Sequence, residues 1–328
     1  MAKYSNRQHE EKKNVVVIGG GTGLSTILRG LKKADLNLTA IVTVADDGGS
    51  SGRLIEELKM PPPGDVRNVL VALAEREPLL QSLFQHRFRN GQGLAGHSLG
   101  NLLIAAMQEI TGDFVTAVKA LSRVLAVRGR VLPAANASIR LQARMQDGST
   151  VVGESNIPKA GKKIERITLI PKDIEALPEA VEAIEEADLI IVGPGSLYTS
   201  VIPNLLVDGI QQAIKRCRAE KMYISNVMTQ PGETDGYDVR EHVQAIYDHV
   251  QMPLFHKVVV NVGQIPESMI DKYREEGAGP VIYHPGSLDQ YGVEVIKDRL
   301  FLMDDYLRHD ARKITRIVLR CLAGLGKE

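Results

Sequence analysis

Apolar residues along the chain follow two rhythms. Short unbroken runs at Asn14–Ile18, Leu38–Val44, Asp188–Val192, Met222–Val227 and Lys257–Val262 have the length and β-branched content of strands covered on both faces. Between them apolar residues return every three or four positions. That spacing predicts helices over Leu24–Leu31, from near Val66, around Leu79–Phe84, and over Leu99–Ile110, Phe114–Leu121, Pro178–Glu186, Leu205–Cys217 and Val239–Val250. One stretch breaks the scheme. From Ala137 to Pro171 the period becomes two: Ile139, Leu141, Ala143 and Met145 alternate with polar residues, Asp147-Gly148 is a hairpin signal, and Val151-Val152 and Ile164–Ile170 follow as strands. Strands alternating with helices predict an α/β fold, a doubly wound, mainly parallel sheet with an antiparallel excursion. Residues 1–13, polar and charged, are expected to form a disordered tail, and 14–328 to form a single domain, since no linker and no internal repeat interrupts them.

The turns carry the candidate chemistry. Gly19-Gly20-Gly21-Thr22-Gly23 follows the first strand directly and opens a helix. Glycines let the chain turn sharply and expose backbone N–H groups, and the helix N-terminus adds its positive dipole end, so this turn is a candidate phosphate cradle. The dinucleotide fingerprint is incomplete, because Leu24 stands where its third glycine belongs; this disfavours an NAD-type oxidoreductase. A ligand-free α/β turn is the competing reading.

The second strand runs into Ala45-Asp46-Asp47-Gly48-Gly49-Ser50-Ser51-Gly52-Arg53, read as a polar loop. Carboxylates at such a tip can reach a ribose hydroxyl, a ligand-bound cation or a polar ring, although Asp, Gly and Ser also make ordinary turns. Gly193-Pro194-Gly195-Ser196 closes a later strand with similarly small residues, and Asn226, Thr229 and Gln230 supply neutral donors and acceptors at the next. Pro61-Pro62-Pro63-Gly64-Asp65 marks a stiff turn.

Gly96-His97-Ser98-Leu99-Gly100 has the spacing of a hydrolase nucleophile elbow, but no buried strand precedes it. It reads better as a helix N-terminus, with Ser98 as cap and Asn101 near exposed amides suited to an anion; a purely structural cap explains it equally well. Tyr273, Arg274 and Arg308 are expected on helices near the C-terminus, with Tyr273 a candidate aromatic lid over a base or sugar.

Bulk chemistry narrows the classes. Forty Lys and Arg against forty Asp and Glu argue against a dedicated nucleic-acid binder. Two cysteines make no disulfide framework, and the eight histidines lack zinc spacing. A Mg²⁺ carried in with a phosphate would fall to Asp46 or Asp47. The apolar runs are strand-sized, well short of the roughly 20 residues that cross a bilayer, and residues 1–13 contain no signal-peptide core, so a cytoplasmic protein is expected.

Five ordered motifs, from Val15 to Ser25, Thr43 to Arg53, Pro62 to Asn68, Gly96 to Ala106 and Gly193 to Ser200, together resemble those of the YvcK-type gluconeogenesis factors (UPF0052). The wider relatives of that family are the 2-phospho-L-lactate transferases (CofD), which join a phospholactyl group from a guanosine diphosphate donor to a deazaflavin precursor with Mg²⁺. The resemblance implies a Rossmann-like, CofD-like nucleotide-binding domain. It also implies a bacterial cytoplasmic protein needed for growth and normal cell shape on gluconeogenic carbon sources. The ligand it implies is a nucleotide sugar of the UDP-N-acetylglucosamine type, with cell-envelope synthesis proteins as partners; a homo-oligomer is also expected. Ligand contacts are expected at Gly19, Gly20, Gly21, Thr22, Gly23, Asp46, Asp47, Ser50, Ser98, Asn101, Gly195, Ser196, Asn226, Thr229, Gln230 and Tyr273. In the transferase relatives the acidic tip faces the deazaflavin, and Asp46 and Asp47 match it. The alternative to a binding regulator is therefore a transferase of that type.

Overall fold

The computed structural model describes residues 12–75 and 77–325. Most of the expected tail lies outside the described residues, but Lys13 at its end donates through Nζ to Asp188 Oδ1 at 2.9 Å. The first half of the chain contains β1 (Asn14–Gly19), α1 (Gly21–Leu31), β2 (Asn37–Val42), α2 (Gly49–Leu58), α3 (Gly64–Leu73), α4 (Glu77–Gln85), α5 (Leu99–Thr111) and α6 (Phe114–Val124). Then come β3 (Arg130–Pro133), β4 (Arg140–Met145), β5 (Thr150–Val152), β6 (Ile164–Ile170), α7 (Pro178–Glu185), β7 (Leu189–Val192), α8 (Ile202–Leu205) and α9 (Asp208–Arg216). The chain continues with β8 (Glu220–Ile224), α10 (Val239–Val250), β9 (Lys257–Asn261), α11 (Glu267–Glu275), β10 (Glu294–Asp298), β11 (Phe301–Met303), β12 (Leu307–His309) and α12 (Ala311–Gly324).

Seven strands make one parallel sheet in the order β10-β9-β8-β7-β1-β2-β3. Val15 to Ile18 and Leu189 to Val192 are buried on both faces, which is why they read as unbroken apolar runs. From β1 the chain moves through β2 to β3 in one direction, and from β7 through β8 and β9 to β10 in the other. Right-handed crossovers then place α1 and α9 on opposite faces. On the first face α1 packs against α3 and α12, and on the other α7 packs against α9.

The antiparallel excursion is a three-stranded sheet, β5-β4-β6, with Leu141 opposite Leu169 and Ala143 opposite Ile167. It is tied to α10 by His249, whose Nε2 accepts the Ile167 N–H at 2.9 Å. Burial lowers the His249 pKa, so the ring is neutral and keeps the lone pair this bond needs.

Several elements differ from the sequence reading. The loop expected after β2 becomes helix α2 from Gly49 on. Two glycines hide that helix from propensity, yet Gly52 is required there, because a Cβ would sit 2.3 Å from Asp47 O. The helix expected over Leu205–Cys217 divides into α8 and α9. Arg308 lies on strand β12, not on a helix, in a hairpin with β11 too short to show a period.

Candidate functional site

β1 and β7 are neighbours whose chains leave in opposite directions, the topological switch point at which doubly wound sheets open a crevice. Two turns face each other there. Gly23, in the first turn of α1, lies so close to the second turn that a Cβ would come 2.9 Å from Pro194 O. Beneath the first turn sits a carboxyl group. Asp65 Oδ1 accepts the Gly21 N–H at 2.9 Å, and a Cβ on Gly20 would stand 2.4 Å from Asp65 Oδ2. Gly21 itself has φ +67°, a left-handed value that favours glycine. One of the helix-opening amides is therefore satisfied from within, while Thr22 and Gly23 border open space.

Two cavities adjoin at Thr22, Gly23, Leu307 and His309. The smaller, about 240 Å³, brings together Gly21, Thr22, Gly23, Gly195, Ser196, Asn226, Thr229, Gln230 and Tyr273 from four separate stretches of chain. Its polar groups position one another. Gln230 Nε2 donates to Ser196 Oγ at 2.8 Å, Asn226 Nδ2 donates to Gly195 O at 2.9 Å, and Thr229 Oγ1 accepts the Gly279 N–H at 2.9 Å. Tyr273 Oη accepts the Leu307 N–H at 2.9 Å, which fixes the ring in the wall. Gln230 Oε1 is buried without a partner. The larger cavity, about 530 Å³, has Arg29, Arg67 and Arg308 in its lining and no carboxylate side chain.

His309 borders both spaces. Burial lowers its pKa, and Nε2 donates to Ser225 O at 3.1 Å, so Nδ1 is left as an acceptor.

The remaining expected residues lie elsewhere. Gly19 ends β1, and Gly20 caps α1 over Asp65. Ser50, Ser98 and Asn101 are buried in a polar network rather than at exposed amides. Ser98 Oγ accepts the Asn101 N–H at 3.2 Å, capping α5, and also accepts from Arg67 Nη1 at 2.7 Å. Asn101 Nδ2 donates to Ser50 Oγ at 3.2 Å and to Ser51 Oγ at 3.3 Å. The two acids of the β2 tip diverge. Asp46 accepts from Gly48 N–H at 3.0 Å and from the Ser51 hydroxyl at 2.7 Å, whereas Asp47 takes the backbone N–H groups of Glu154 and Ser155 at 2.9 Å each and so anchors the excursion.

This tip is crowded with carboxyls. Burial, and then Asp46, push Asp65 up to about 7, and burial with Asp46, Asp47 and Asp65 pushes Glu154 up to about 8. Across the crevice Glu233 ties the β8 tip to the β7 tip, accepting the Tyr198 N–H at 3.2 Å and the Thr199 hydroxyl at 3.1 Å. Burial raises it to about 7.

The profile described as "2-phospho-L-lactate transferase CofD" matches residues 15–301. The chain belongs to the CofD family. Within it the chain is similar to the "Gluconeogenesis factor" of Halalkalibacterium halodurans, 59% identical over 310 residues that cover 94% of this chain and 96% of that one. The "Gluconeogenesis factor" of Bacillus subtilis is 53% identical over 313 residues, covering 95% and 99%. A crystal structure of a UPF0052-family protein from Bacillus halodurans superposes with a TM-score of 0.91 at 58% identity, over 94% of this chain and 99% of that one.

For a CofD-family site the donor set bears on Mg²⁺. Among the described residues no group of three or more His, Cys, Asp or Glu side chains is placed to hold a metal ion. The acids that face the tip are already engaged, Asp46 by the Gly48 N–H and the Ser51 hydroxyl and Asp47 by two backbone N–H groups, so a Mg²⁺ there would need ligand phosphates for most of its shell. Also among the described residues, no helix is long and apolar enough to cross a membrane.

Sequence reasoning passed over Asp65, Arg67, Glu154, Glu233 and His309 as site residues. For the first two a signal existed: α3 carries the apolar residues Val66, Val69, Leu70, Val71 and Leu73, all buried, so charges among them stand out.

Proposed function

We propose that this CofD-family chain is a cytoplasmic, non-catalytic regulator that binds a nucleotide sugar of the UDP-N-acetylglucosamine type. In this reading it serves growth on gluconeogenic carbon sources and normal cell shape, acting on cell-envelope synthesis proteins, as a homo-oligomer. The names of the relatives at 59% and 53% identity support the gluconeogenic role. The observation that carries the ligand is the pair of adjoining cavities meeting at Thr22 and Gly23. A ligand with a diphosphate between two unlike ends fits such a shape: the diphosphate at the first turn of α1, one end against Asn226, Thr229, Gln230 and Tyr273, the other in the larger space. Thermal-shift titration with UDP-N-acetylglucosamine, GDP and NAD tests it, because a ligand that prefers the folded state raises its melting temperature. Stabilisation by the UDP sugar without turnover is expected; stabilisation by GDP or NAD alone overturns the reading.

The carboxyls around the β2 tip favour a second reading. Asp65 at about 7 and Glu154 at about 8 lie where a group can take or give a proton at neutral pH. In a transferase of the 2-phospho-L-lactate type, a carboxylate of this cluster would take the proton of an accepting hydroxyl as its oxygen attacks phosphorus and the nucleotide leaves. Asp46 or Asp47 would position Mg²⁺ or that hydroxyl. Phosphoester formation on a deazaflavin acceptor would establish this reading over the first.

A further inference from the structure

Arg67 is 8% exposed on α3, whose other buried side chains are apolar. A guanidinium presents five N–H donors. Nη1 donates to Ser98 Oγ at 2.7 Å and to Asn101 Oδ1 at 2.9 Å, and Nη2 to Asn68 Oδ1 at 3.1 Å. Nε has no acceptor, so two N–H groups remain unspent. Nε and Nη2 share one edge of the guanidinium, the edge that can meet two oxygens of a phosphate or carboxylate side by side.

All three hydrogen-bond acceptors are neutral; the acids Asp46 and Asp65 act on the Arg67 charge from a distance, and neither accepts a hydrogen bond from it. Arginine is seldom buried without a counter-ion, because its charge loses hydration that neutral acceptors restore only in part. Holding α3 against α5 explains the bonds to Ser98 and Asn101, and Asp46 and Asp65 favour the charge from a distance, but neither gives Nε an acceptor. The missing partner has a place to lie, since Arg67 lines the larger cavity, whose lining includes Arg308 and no acid.

We propose that Arg67 is an anion receptor on the floor of the larger cavity, taking two oxygens of the ligand's phosphoryl group through Nε and Nη2. The nucleotide-sugar reading supplies the source of that group, a diphosphate spanning the Thr22 and Gly23 turn and Arg67. Binding is then passed inward, because Nη1 of the same guanidinium holds Ser98 and Asn101, and Asn101 holds Ser50 and Ser51 of the acidic tip.

The test uses the full chain with inorganic pyrophosphate as probe. It is read by melting temperature and by the ¹⁵N–¹H signal of Arg67 Nε, assigned by its loss in Arg67→Lys. Pyrophosphate is expected to stabilise the wild type and shift that signal, and Arg67→Lys, which keeps the charge but loses the fork, to bind it about tenfold more weakly. No response to pyrophosphate, an unmoved Nε signal, or equal binding by Arg67→Lys overturns the proposal. If Arg67→Lys fails to fold, the signal is assigned through the neighbouring Asn68→Asp and the wild-type shift decides. Stabilisation by UDP-N-acetylglucosamine with an unmoved Nε signal removes Arg67 and leaves the nucleotide-sugar reading standing. A pyrophosphate response through Arg67 without any response to the nucleotide sugar does the reverse.

Discussion

Asp65 Oδ1 accepts the Gly21 amide at 2.9 Å, so the first turn of α1 is held by a carboxyl group of its own chain. The bond joins β1–α1 to α3 across 44 positions of sequence. It also settles why Gly20 has no side chain, since Asp65 Oδ2 occupies the space.

Asp65 gives stability an unusual pH dependence. Its pKa rises from 3.8 to about 7 on folding, so between those values the native state binds more protons than the unfolded state. Its contribution is complete below 3.8 and is lost as pH rises through about 7. Asp65→Asn keeps an oxygen for the Gly21 amide and removes the buried charge. Chemical denaturation should show the variant gaining on the wild type between pH 5 and 8, by a few kcal/mol at most. A constant difference across that range would refute the assignment.

Gly20→Ala should destabilise the protein. Its Cβ would stand 2.4 Å from Asp65 Oδ2 and 2.9 Å from Thr43 Cγ2, both inside packed structure. A loss of roughly 1–3 kcal/mol in urea unfolding is expected. Gly93→Ala, at φ +84° but with nothing within 4 Å of its Cβ, separates backbone strain from collision.

Glu233→Ala strands two groups at once, the Tyr198 N–H and the Thr199 hydroxyl, both buried. A cost of about 1–3 kcal/mol follows. Hydrogen exchange of the Tyr198 amide should accelerate locally, and Glu233→Gln, which keeps one acceptor, should lie between the two.

Tyr273→Phe removes the acceptor of the Leu307 N–H at the wall shared by strand β12. Unfolding measurements should show a loss of about 1 kcal/mol. Because the ring itself stays, affinity for UDP-N-acetylglucosamine should fall little in Tyr273→Phe and clearly in Tyr273→Ala.

Ser98→Ala removes both a helix cap and an acceptor of Arg67. About 1–2 kcal/mol should be lost, more than a cap alone accounts for in most helices. A double-mutant cycle with Arg67→Lys measures the shared part, and additivity would show that the two residues act separately.

The strands β1, β2, β7, β8 and β9 and the amphipathic helices were legible because burial on two faces, or on one, writes itself into apolar spacing that needs no knowledge of distant neighbours. The short strand β3 was not, since Val131 and Leu132 between Arg130 and Pro133 offer too few positions to show a period. Helix α2 was hidden by two glycines, of which Gly52 is required by its contact with Asp47 and Gly49 has φ +44°.

The site divides in the same way. From the chain alone came the small-residue tips, because a parallel sheet sends the carboxyl ends of all its strands to one edge, and Gly21 to Gly23, Gly195, Ser196, Asn226, Thr229, Gln230 and Tyr273 do meet around one cavity. Only the tertiary structure separated Asp46 from Asp47, buried Ser50, Ser98 and Asn101, and set Asp65 beneath the glycine turn and Arg67 in the lining of the larger cavity. Those outcomes depend on which groups are brought within hydrogen-bond reach after the chain closes on itself. A charge is costly or useful according to the partners around it, and those partners come from segments that sequence spacing does not connect.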